Sequence, residues 1–297
     1  MSNKRLPEWF KQSKGKLKAT RELSKRLEMD VPNSICQEAR CPNRSECFSK
    51  GVLTFMILGT VCTRRCTFCS VKFGKPLPPD PKDADLIIQS IEKLGLRFVV
   101  LTSPNRDDLP DEGAGHYAYV IQRIKEAFPA VKVEVLIPDF KGKEGCLKTV
   151  VDAKPDVINH NVETVPSLYK TVRKGSLYLR STQLLKMVKT LNPSMLTKSG
   201  LMMGLGETEA ELVDVFKDLK LSGIDILTLG QYLKPDTASH DVVRYYKPEE
   251  FDQLKELALA QGIRYVFSGP LVRSSYLAEH VFDDCLKGEL THELGVG

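Results

Sequence analysis

Short apolar runs alternate along the chain with segments whose apolar residues recur at helical spacing. Runs that are apolar at consecutive positions are typical of parallel strands buried on both faces. The segments between them, such as the one that contains Ile87, Ile91 and Leu94, predict amphipathic helices that cover a sheet. The predicted strands are 54–58, 98–102, 132–137, 157–162, 198–204 and 226–231, with a possible last strand at 265–267.

Strand–helix alternation of this kind predicts an α/β fold built from parallel βαβ units with right-handed crossovers. The chain beyond the first strand is shorter than the about 250 residues of a complete eightfold barrel. We therefore expect an incomplete parallel (β/α) barrel of about six βα units. Without a linker or repeat, it forms one structural domain: an N-terminal extension (1–50), the barrel (51–270) and a C-terminal tail (271–297).

Composition narrows the class of protein. The chain of 297 residues is 42% hydrophobic and 27% charged, as in globular proteins with a sizeable core. No run approaches the roughly 18 apolar residues of a membrane helix, and the first residues lack the apolar core of a secretion signal. We therefore expect a cytoplasmic protein without a membrane partner.

The net charge of +5 is concentrated near the N-terminus, where residues 1–27 carry nine Lys or Arg against Glu8 and Glu22. Aromatic residues do not alternate with these bases, which argues against nucleic acid as a partner. Two interpretations stay open. The arm is either a solvated helix face or a docking segment for an acidic protein.

Six of the eight cysteines fall within residues 36–69, in two groups of three. In a reducing compartment, clustered cysteines are typical of metal ligands rather than disulfides. We call the C-x4-C-x5-C segment the first cysteine group and the C-x3-C-x2-C segment the second cysteine group. They consist of Cys36, Cys41 and Cys47, and of Cys62, Cys66 and Cys69, respectively.

Three thiolates leave one iron of a four-iron cluster without a protein thiolate, and an open metal position can bind a reactant. The second cysteine group directly follows the first predicted strand, and loops at the carboxyl ends of barrel strands form active sites. Structural zinc sites favour CxxC pairs that close a four-ligand site. The spacing therefore favours iron–sulfur clusters, and the alternative is a zinc-stabilised binding module.

The spacing of the second cysteine group, with Phe68 before its last cysteine, resembles the radical S-adenosylmethionine (SAM) superfamily. With both groups in this order, the chain resembles the lipoyl synthase family over nearly its whole length. It differs from the expected pattern at Pro104-Asn105 and at Ser70, and the first difference bears on contacts with substrate or adenosine. The matching stretches include CQEARCPNRSEC, RDDL, EVLIPDFKG, NHNVETV, VRKG, TKSGLMMGLGET, LTLGQYL and GPLVRSSYLA.

The resemblance implies a sulfurtransferase that inserts sulfur at C6 and C8 of a protein-bound octanoyl-lysine, with SAM and two [4Fe-4S] clusters as cofactors. The second cysteine group would hold the cluster that generates the radical. The first cysteine group would hold an auxiliary cluster that donates the sulfur. The fourth ligand of the auxiliary cluster would be a serine of the RSSY motif, with Ser275 favoured over Ser274.

Polar residues at predicted strand ends are candidate SAM ligands. Asn161 and Glu163 could reach the methionine amine or the ribose hydroxyls. Arg180 could hold the methionine carboxylate, because arginine binds carboxylates in bidentate fashion. Each has an ordinary alternative as a hydrogen bond or ion pair of the barrel rim. The glycines of GLMMGLGE suit either close approach to a ligand or a tight turn.

The implied partners are octanoylated lipoyl carrier domains: acyltransferase subunits of 2-oxoacid dehydrogenases and the glycine-cleavage H protein. A ferredoxin or flavodoxin would donate electrons, and an iron–sulfur cluster carrier would resupply the protein. Since lipoyl carrier domains are commonly acidic, neutralising Lys14, Lys16 and Lys18 should slow turnover of an octanoylated domain but not of a short octanoyl-peptide.

The nearest rival function is that of a two-cluster methylthiotransferase, which would require a further nucleic-acid-binding domain.

Overall fold

The computed structural model describes residues 6–10, 43, 47, 52–276 and 278–287. The strands are β1 (Val52–Met56), β2 (Val61–Cys62), β3 (Lys72–Phe73), β4 (Phe98–Thr102), β5 (Lys132–Leu136), β6 (Val157–Asn159), β7 (Leu196–Met203), β8 (Ile226–Gln231) and β9 (Tyr265–Gly269). The helices are α1 (Asp83–Leu94), α2 (Ala114–Ala127), α3 (Glu144–Asp152), α4 (Tyr169–Val172), α5 (Tyr178–Leu191), α6 (Glu209–Leu221), α7 (Pro248–Ala260) and α8 (Ala278–Lys287).

Seven strands form one parallel sheet in the order β1-β4-β5-β6-β7-β8-β9. The predicted α/β fold with parallel strands is confirmed, including the possible last strand, which is β9. Within the described ranges, pairing ends at β1 and β9, and no hydrogen-bonded ladder joins these two strands. The short parallel pair of β2 and β3 lies outside this sheet and was not predicted.

The two faces of the sheet bury different side chains. Val99 and Leu101 of β4 and Val133 of β5 pack with the apolar faces of α1, α2 and α3. Phe98 and Val100, the alternate residues of β4, pack instead with α8 in a separate cluster. Because successive strand side chains point to opposite faces, α8 lies on the face of the sheet opposite the surrounding helices. The C-terminal helix therefore fills part of the barrel interior.

A buried ion pair crosses the same interior face. The Nζ of Lys198 on β7 lies 3.2 Å from the Oε2 of Glu134 on β5, and both side chains are almost completely buried. Asn159 on β6 donates from Nδ2 to the other carboxylate oxygen at 2.9 Å. Buried charges are tolerated when they are paired in this way. The pair therefore ties three neighbouring strands together across the interior.

None of the helices in the described part of the chain is long and apolar enough to cross a membrane. The proposed boundaries of the extensions at residues 50 and 271 stay predictions.

Candidate active site

The second cysteine group lies between β1 and β3, at the carboxyl end of the sheet, with Cys62 as the last residue of the short strand β2. Backbone N–H groups approach two of its sulfurs, from Arg64 to Cys62 at 3.3 Å and from Val71 to Cys69 at 3.4 Å. Hydrogen bonds of this kind are typical of cysteines that hold iron–sulfur clusters. Among the described residues, no three His, Cys, Asp or Glu side chains converge tightly enough for a single metal ion. A cluster instead takes each thiolate at a separate iron.

Arg64 fixes this loop to two neighbouring strand ends. Its Nε and Nη2 donate to Asp107 at 2.8 and 2.7 Å, after β4. Its Nη1 and Nη2 donate to Asp139 at 2.9 and 2.7 Å, after β5. The fifth guanidinium N–H reaches the hydroxyl of Ser176 at 3.1 Å. All five donors are therefore satisfied, and the loop between Cys62 and Cys66 has one fixed position.

The two carboxylates that bind Arg64, those of Asp139 and Asp107, are held in their charged form. Burial opposes ionisation of Asp139, but the hydrogen bonds and charge of Arg64 hold the pKa of that carboxyl well below its usual range. The pKa of Asp107 is lowered in the same way. The loop is thus anchored by charges that persist throughout the physiological pH range.

The unusual Pro104-Asn105 pair contacts the same loop. The Asn105 carbonyl oxygen accepts from the backbone N–H of Thr63 at 3.1 Å and from its hydroxyl at 3.0 Å. The Asn105 Nδ2 lies 4.0 Å from the sulfur of Cys62. The difference from the expected family pattern therefore falls beside Cys62, a contact that was not predicted from the sequence.

Asn161 and Glu163, two of the predicted SAM ligands, lie together at the carboxyl end of β6. Glu163 has φ of +67°, a strained value for a residue with a side chain. The Asn161 amide hydrogen-bonds the Glu163 carboxylate. Its Oδ1 is buried without a hydrogen-bond partner among the described residues. A buried, unpaired acceptor beside a strained carboxylate is well suited to receive donors from a ligand.

Gly200 on β7 provides the space for this arrangement. A Cβ atom at Gly200 would lie 2.9 Å from Asn161 Oδ1 and 2.7 Å from Thr228 Oγ1. Any larger residue would therefore displace Asn161. The other glycines of the motif serve a turn: the N–H groups of Gly204, Leu205 and Gly206 all donate to the Glu207 carboxylate, at 2.6 to 3.0 Å.

Arg173 is a site residue that the sequence analysis missed, although it lies in the VRKG stretch. Its positive charge opposes the effect of burial on the pKa values of both Glu163 and Cys66, which burial raises. Nη1 donates to the hydroxyls of Tyr169 at 2.9 Å and Ser181 at 3.0 Å. The guanidinium is thus buried and held between the candidate SAM ligands and the second cysteine group.

Arg180, the third predicted SAM ligand, occupies a different place. Its Nη1 lies 3.2 Å from Asp139 Oδ2. It lines a surface cavity of about 500 Å³ together with Arg64 and Arg65 of the cysteine loop. The structure therefore groups Arg180 with the loop anchor, whereas Arg173 is the arginine whose charge acts on Glu163.

Part of the first cysteine group can be located. Cys36 and Cys41 lie outside the described residues, and Cys47 is buried against Phe98, Val100 and Val157, on the interior face. Tyr276, next to Ser275, packs against the same cluster. The Asn43 side chain donates to the Leu271 carbonyl. Asn43 and Cys47 thus join the segment that contains the RSSY motif to the first cysteine group.

Gly230 on β8 positions that C-terminal segment. A Cβ atom at this residue would lie 1.9 Å from the Val272 carbonyl oxygen. Only glycine permits so close an approach. Ser274 and Ser275 follow in a turn and are both half-buried.

Comparison with known proteins identifies the family. Residues 56–219 match the radical SAM superfamily. The lipoyl synthase of Caldanaerobacter subterraneus subsp. tengcongensis is 50% identical over 279 residues, which cover 93% of this chain and 96% of the relative. The chain belongs to the lipoyl synthase family. The lipoyl synthase of Alkaliphilus metalliredigens is 48% identical over 95% of this chain and 98% of its own length. The lipoyl synthase of Histophilus somni is 50% identical over 83% of this chain and 78% of its own length.

Solved structures support the fold alone. Methylornithine synthase superposes with a TM-score of 0.56 at 14% identity, over 72% of this chain and 64% of that protein. The [FeFe]-hydrogenase maturase HydG superposes with a TM-score of 0.57 at 12% identity, over 72% of this chain and 50% of that protein. Both similarities agree with the parallel α/β architecture described above.

Family membership confirms the predicted function and cofactors. The chain is a radical SAM sulfurtransferase, a lipoyl synthase by family, which uses SAM and two [4Fe-4S] clusters. The methylthiotransferase and the zinc-stabilised binding module, the two alternatives left open by the sequence, are not supported.

Proposed function

We propose that this chain inserts sulfur at C6 and C8 of octanoyl-lysine on a lipoyl domain, with different clusters on its two cysteine groups. Cys62, Cys66 and Cys69 hold the cluster that binds SAM. Cys36, Cys41 and Cys47, with Ser275, hold the auxiliary cluster that donates sulfur. The observation that carries this assignment is the placement of Cys47 beside the RSSY segment, on the interior face of the sheet.

The residues around the second cysteine group fit a cluster that binds SAM. The unpaired Asn161 Oδ1 and the Glu163 carboxylate are acceptors suited to an amine or to ribose hydroxyls. Arg173 is suited to a carboxylate, because its guanidinium is buried and already oriented by Tyr169. When bound, the cluster and SAM together supply the radical that removes hydrogen from carbon without an acidic proton. Arg180 is replaced by Arg173 in this proposal.

Cluster binding is coupled to loss of protons from the thiols. Burial raises the pKa of the Cys66 thiol to about 12, partly offset by Arg173. In the metal-free protein this residue is therefore a neutral thiol at pH 7. Because iron binds the thiolate, assembly releases protons and is favoured at higher pH.

The auxiliary cluster requires a ligand that permits its dismantling. A serine oxygen is a harder and weaker ligand for iron than a thiolate. Ser275 is suited to this role, since its neighbour Tyr276 packs against the cluster of buried residues that contains Cys47. The proposal also includes the partners and the location. The substrates are carrier domains of 2-oxoacid dehydrogenases or the glycine-cleavage H protein, and a ferredoxin or flavodoxin donates electrons. A cluster carrier resupplies the protein, which is located in the cytoplasm.

Anaerobic iron and sulfide analysis of the parent and of a Cys36→Ala, Cys41→Ala, Cys47→Ala variant tests the assignment. We expect about eight irons in the parent and about four in the variant, since each [4Fe-4S] cluster contains four. The variant should still cleave SAM but insert no sulfur. A matched Cys146→Ala variant, at a buried cysteine packed among the helices around the sheet, should keep both clusters.

Zinc in place of iron, or about four irons in the parent, would contradict the two-cluster mechanism. Sulfur insertion by the triple variant would show that the first cysteine group is not the donor site. A Ser275→Ala variant that kept a full iron content and full activity would remove that serine from the ligand set.

A further inference from the structure

A positively charged cavity of about 500 Å³ opens beside the second cysteine group. The loop between Cys62 and Cys66 forms one wall, and the segments after β4, β5 and β6 form the others. Eight residues line it: Thr63, Arg64, Arg65, Asp107, Lys141, Lys174, Gly175 and Arg180. Asp107 is the carboxylate that lines it. Five cations thus face a single acidic side chain.

Two of these cations are uncompensated. Arg64 and Arg180 are paired with buried Asp139, and Lys141 lies within 4 Å of Asp107 and Glu112. Arg65 and Lys174 are exposed, and in the described ranges neither makes an ion pair. Arg65 is held instead over the ring of Phe73, 4.3 Å from its centroid. With respect to the described residues, the cavity therefore presents two unpaired positive charges to solvent, one of them held over an aromatic ring.

Exposed apolar side chains adjoin the charges. Leu177 is 57% exposed and Leu179 is 68% exposed, in the segment that runs between cavity residues Lys174 and Arg180. Phe73, beneath Arg65, is 50% exposed. A site for a small anion requires only the charges. Charges with apolar neighbours are typical of a surface that binds another protein.

The substrate determines what can cover this surface. The octanoyl chain is carried on a lysine side chain of limited length, so a carrier domain must rest against the residues next to the cluster loop. Arg65 is adjacent to Cys66 in the chain, and Lys174 supplies a backbone carbonyl 4.0 Å from the Cys66 sulfur. Both cations therefore lie within the area that a docked domain would cover.

We infer that Arg65, Lys174, Leu177 and Leu179 form a docking site for the octanoylated lipoyl domain, with the two cations contacting carboxylates near its acylated lysine. This inference rests on the proposed function and concerns residues other than those of the basic N-terminal arm. Attraction between opposite charges accelerates encounter and orients the partners. The apolar residues contribute to the lifetime of the complex.

The test compares two substrates: an octanoylated lipoyl domain and a short octanoyl-lysine peptide without acidic residues. We expect Lys174→Glu and Arg65→Glu each to lower kcat/KM for the domain by about tenfold, with the peptide changed less than about twofold. Raising the ionic strength should slow the parent on the domain and narrow the difference from the variants. Binding of the domain, measured by fluorescence anisotropy, should weaken in parallel and requires no turnover.

Lys154→Glu is the matched control. Lys154 is an exposed lysine before β6, at the amino end of the strands, and the same charge reversal there should leave both substrates unaffected. Equal losses on domain and peptide, or no loss on either, would overturn the docking site. Inorganic phosphate that inhibits both substrates equally would instead make the cavity a small-anion site and would also overturn it. A parent that binds the domain but converts neither substrate would contradict the proposed function alone.

Discussion

His160 illustrates how a residue with no chemical role can still set the pH range of the protein. Its side chain is buried between the Ile137 carbonyl at 2.8 Å and the Ser181 hydroxyl at 2.9 Å. Burial and the nearby charge of Arg173 lower its pKa from 6.5 to about 4. The folded protein therefore holds this imidazole neutral at pH values where the unfolded chain protonates it.

Stability should consequently fall as the pH is lowered from 6.5 to 4. In this window the unfolded state binds one more proton at this site, so the free energy of unfolding decreases, by on the order of 3 kcal/mol. Urea unfolding of the metal-free protein at several pH values measures the effect. His160→Gln should show a flatter dependence across this window. Parallel curves for parent and variant would place the titration on other groups.

At the scale of elements, the sequence predicted the strands well and the contacts between loops poorly. Strand β4 begins and ends where its apolar run does, because the run is buried on both faces. The strand at Val157 ends at Asn159, three residues before residue 162, where the predicted strand ends. Beyond Asn159 the backbone stays hydrogen-bonded to β7, with a parallel bridge between Glu163 and Leu201, but it takes a positive φ at Glu163. Patterns of burial cannot reveal such a turn, since it depends on tertiary contacts.

The candidate site shows the same division. Spacing alone indicated the second cysteine group, because its ligands are close in the chain. Arg64 binds residues that lie 43 to 112 positions away in the chain. Arg173 acts on Tyr169, Glu163 and Cys66, whose spacing follows no helical or strand period. Ser275 was predicted only through the family resemblance, and the packing of its neighbour Tyr276 against the cluster that contains Cys47 depends on the path of the C-terminal segment.

The loop anchor provides a prediction at this scale. Arg64→Lys should leave Asp139 buried without its bidentate partner, because an ammonium cannot span two carboxylates. We expect the stability to fall by about 3 kcal/mol and the iron held by the second cysteine group to fall well below four. Iron should be counted in the background of the Cys36, Cys41 and Cys47 substitutions. Arg65→Lys, in the same loop but exposed, should retain its iron; equal losses in both variants would contradict a specific anchor.

At the scale of the whole molecule, Cys47 and helix α8 meet on the interior face of the sheet. Cys47 from the N-terminal extension and Ala278 and Phe282 from α8 pack together against β4 and β6. The Lys198–Glu134 pair lies on the same interior face and fixes the strands behind them. One face of the sheet thus holds residues more than 200 positions apart in the chain, as the proposed auxiliary cluster requires.

Gly230 is where this arrangement can be tested without altering any proposed ligand. Gly230→Ala places a methyl group on the Val272 carbonyl and should displace the segment that carries Ser275. We expect iron to fall from about eight toward four, with SAM cleavage retained and sulfur insertion lost. Gly145→Ala is the control, since a Cβ there meets no atom within 4 Å. A Gly230→Ala protein that retains eight irons and full activity would show that the C-terminal segment does not position a ligand. Loss of both clusters would mean that the substitution disrupts the sheet itself. An iron content of about four per protein therefore indicates local displacement, and an iron content near zero indicates general unfolding.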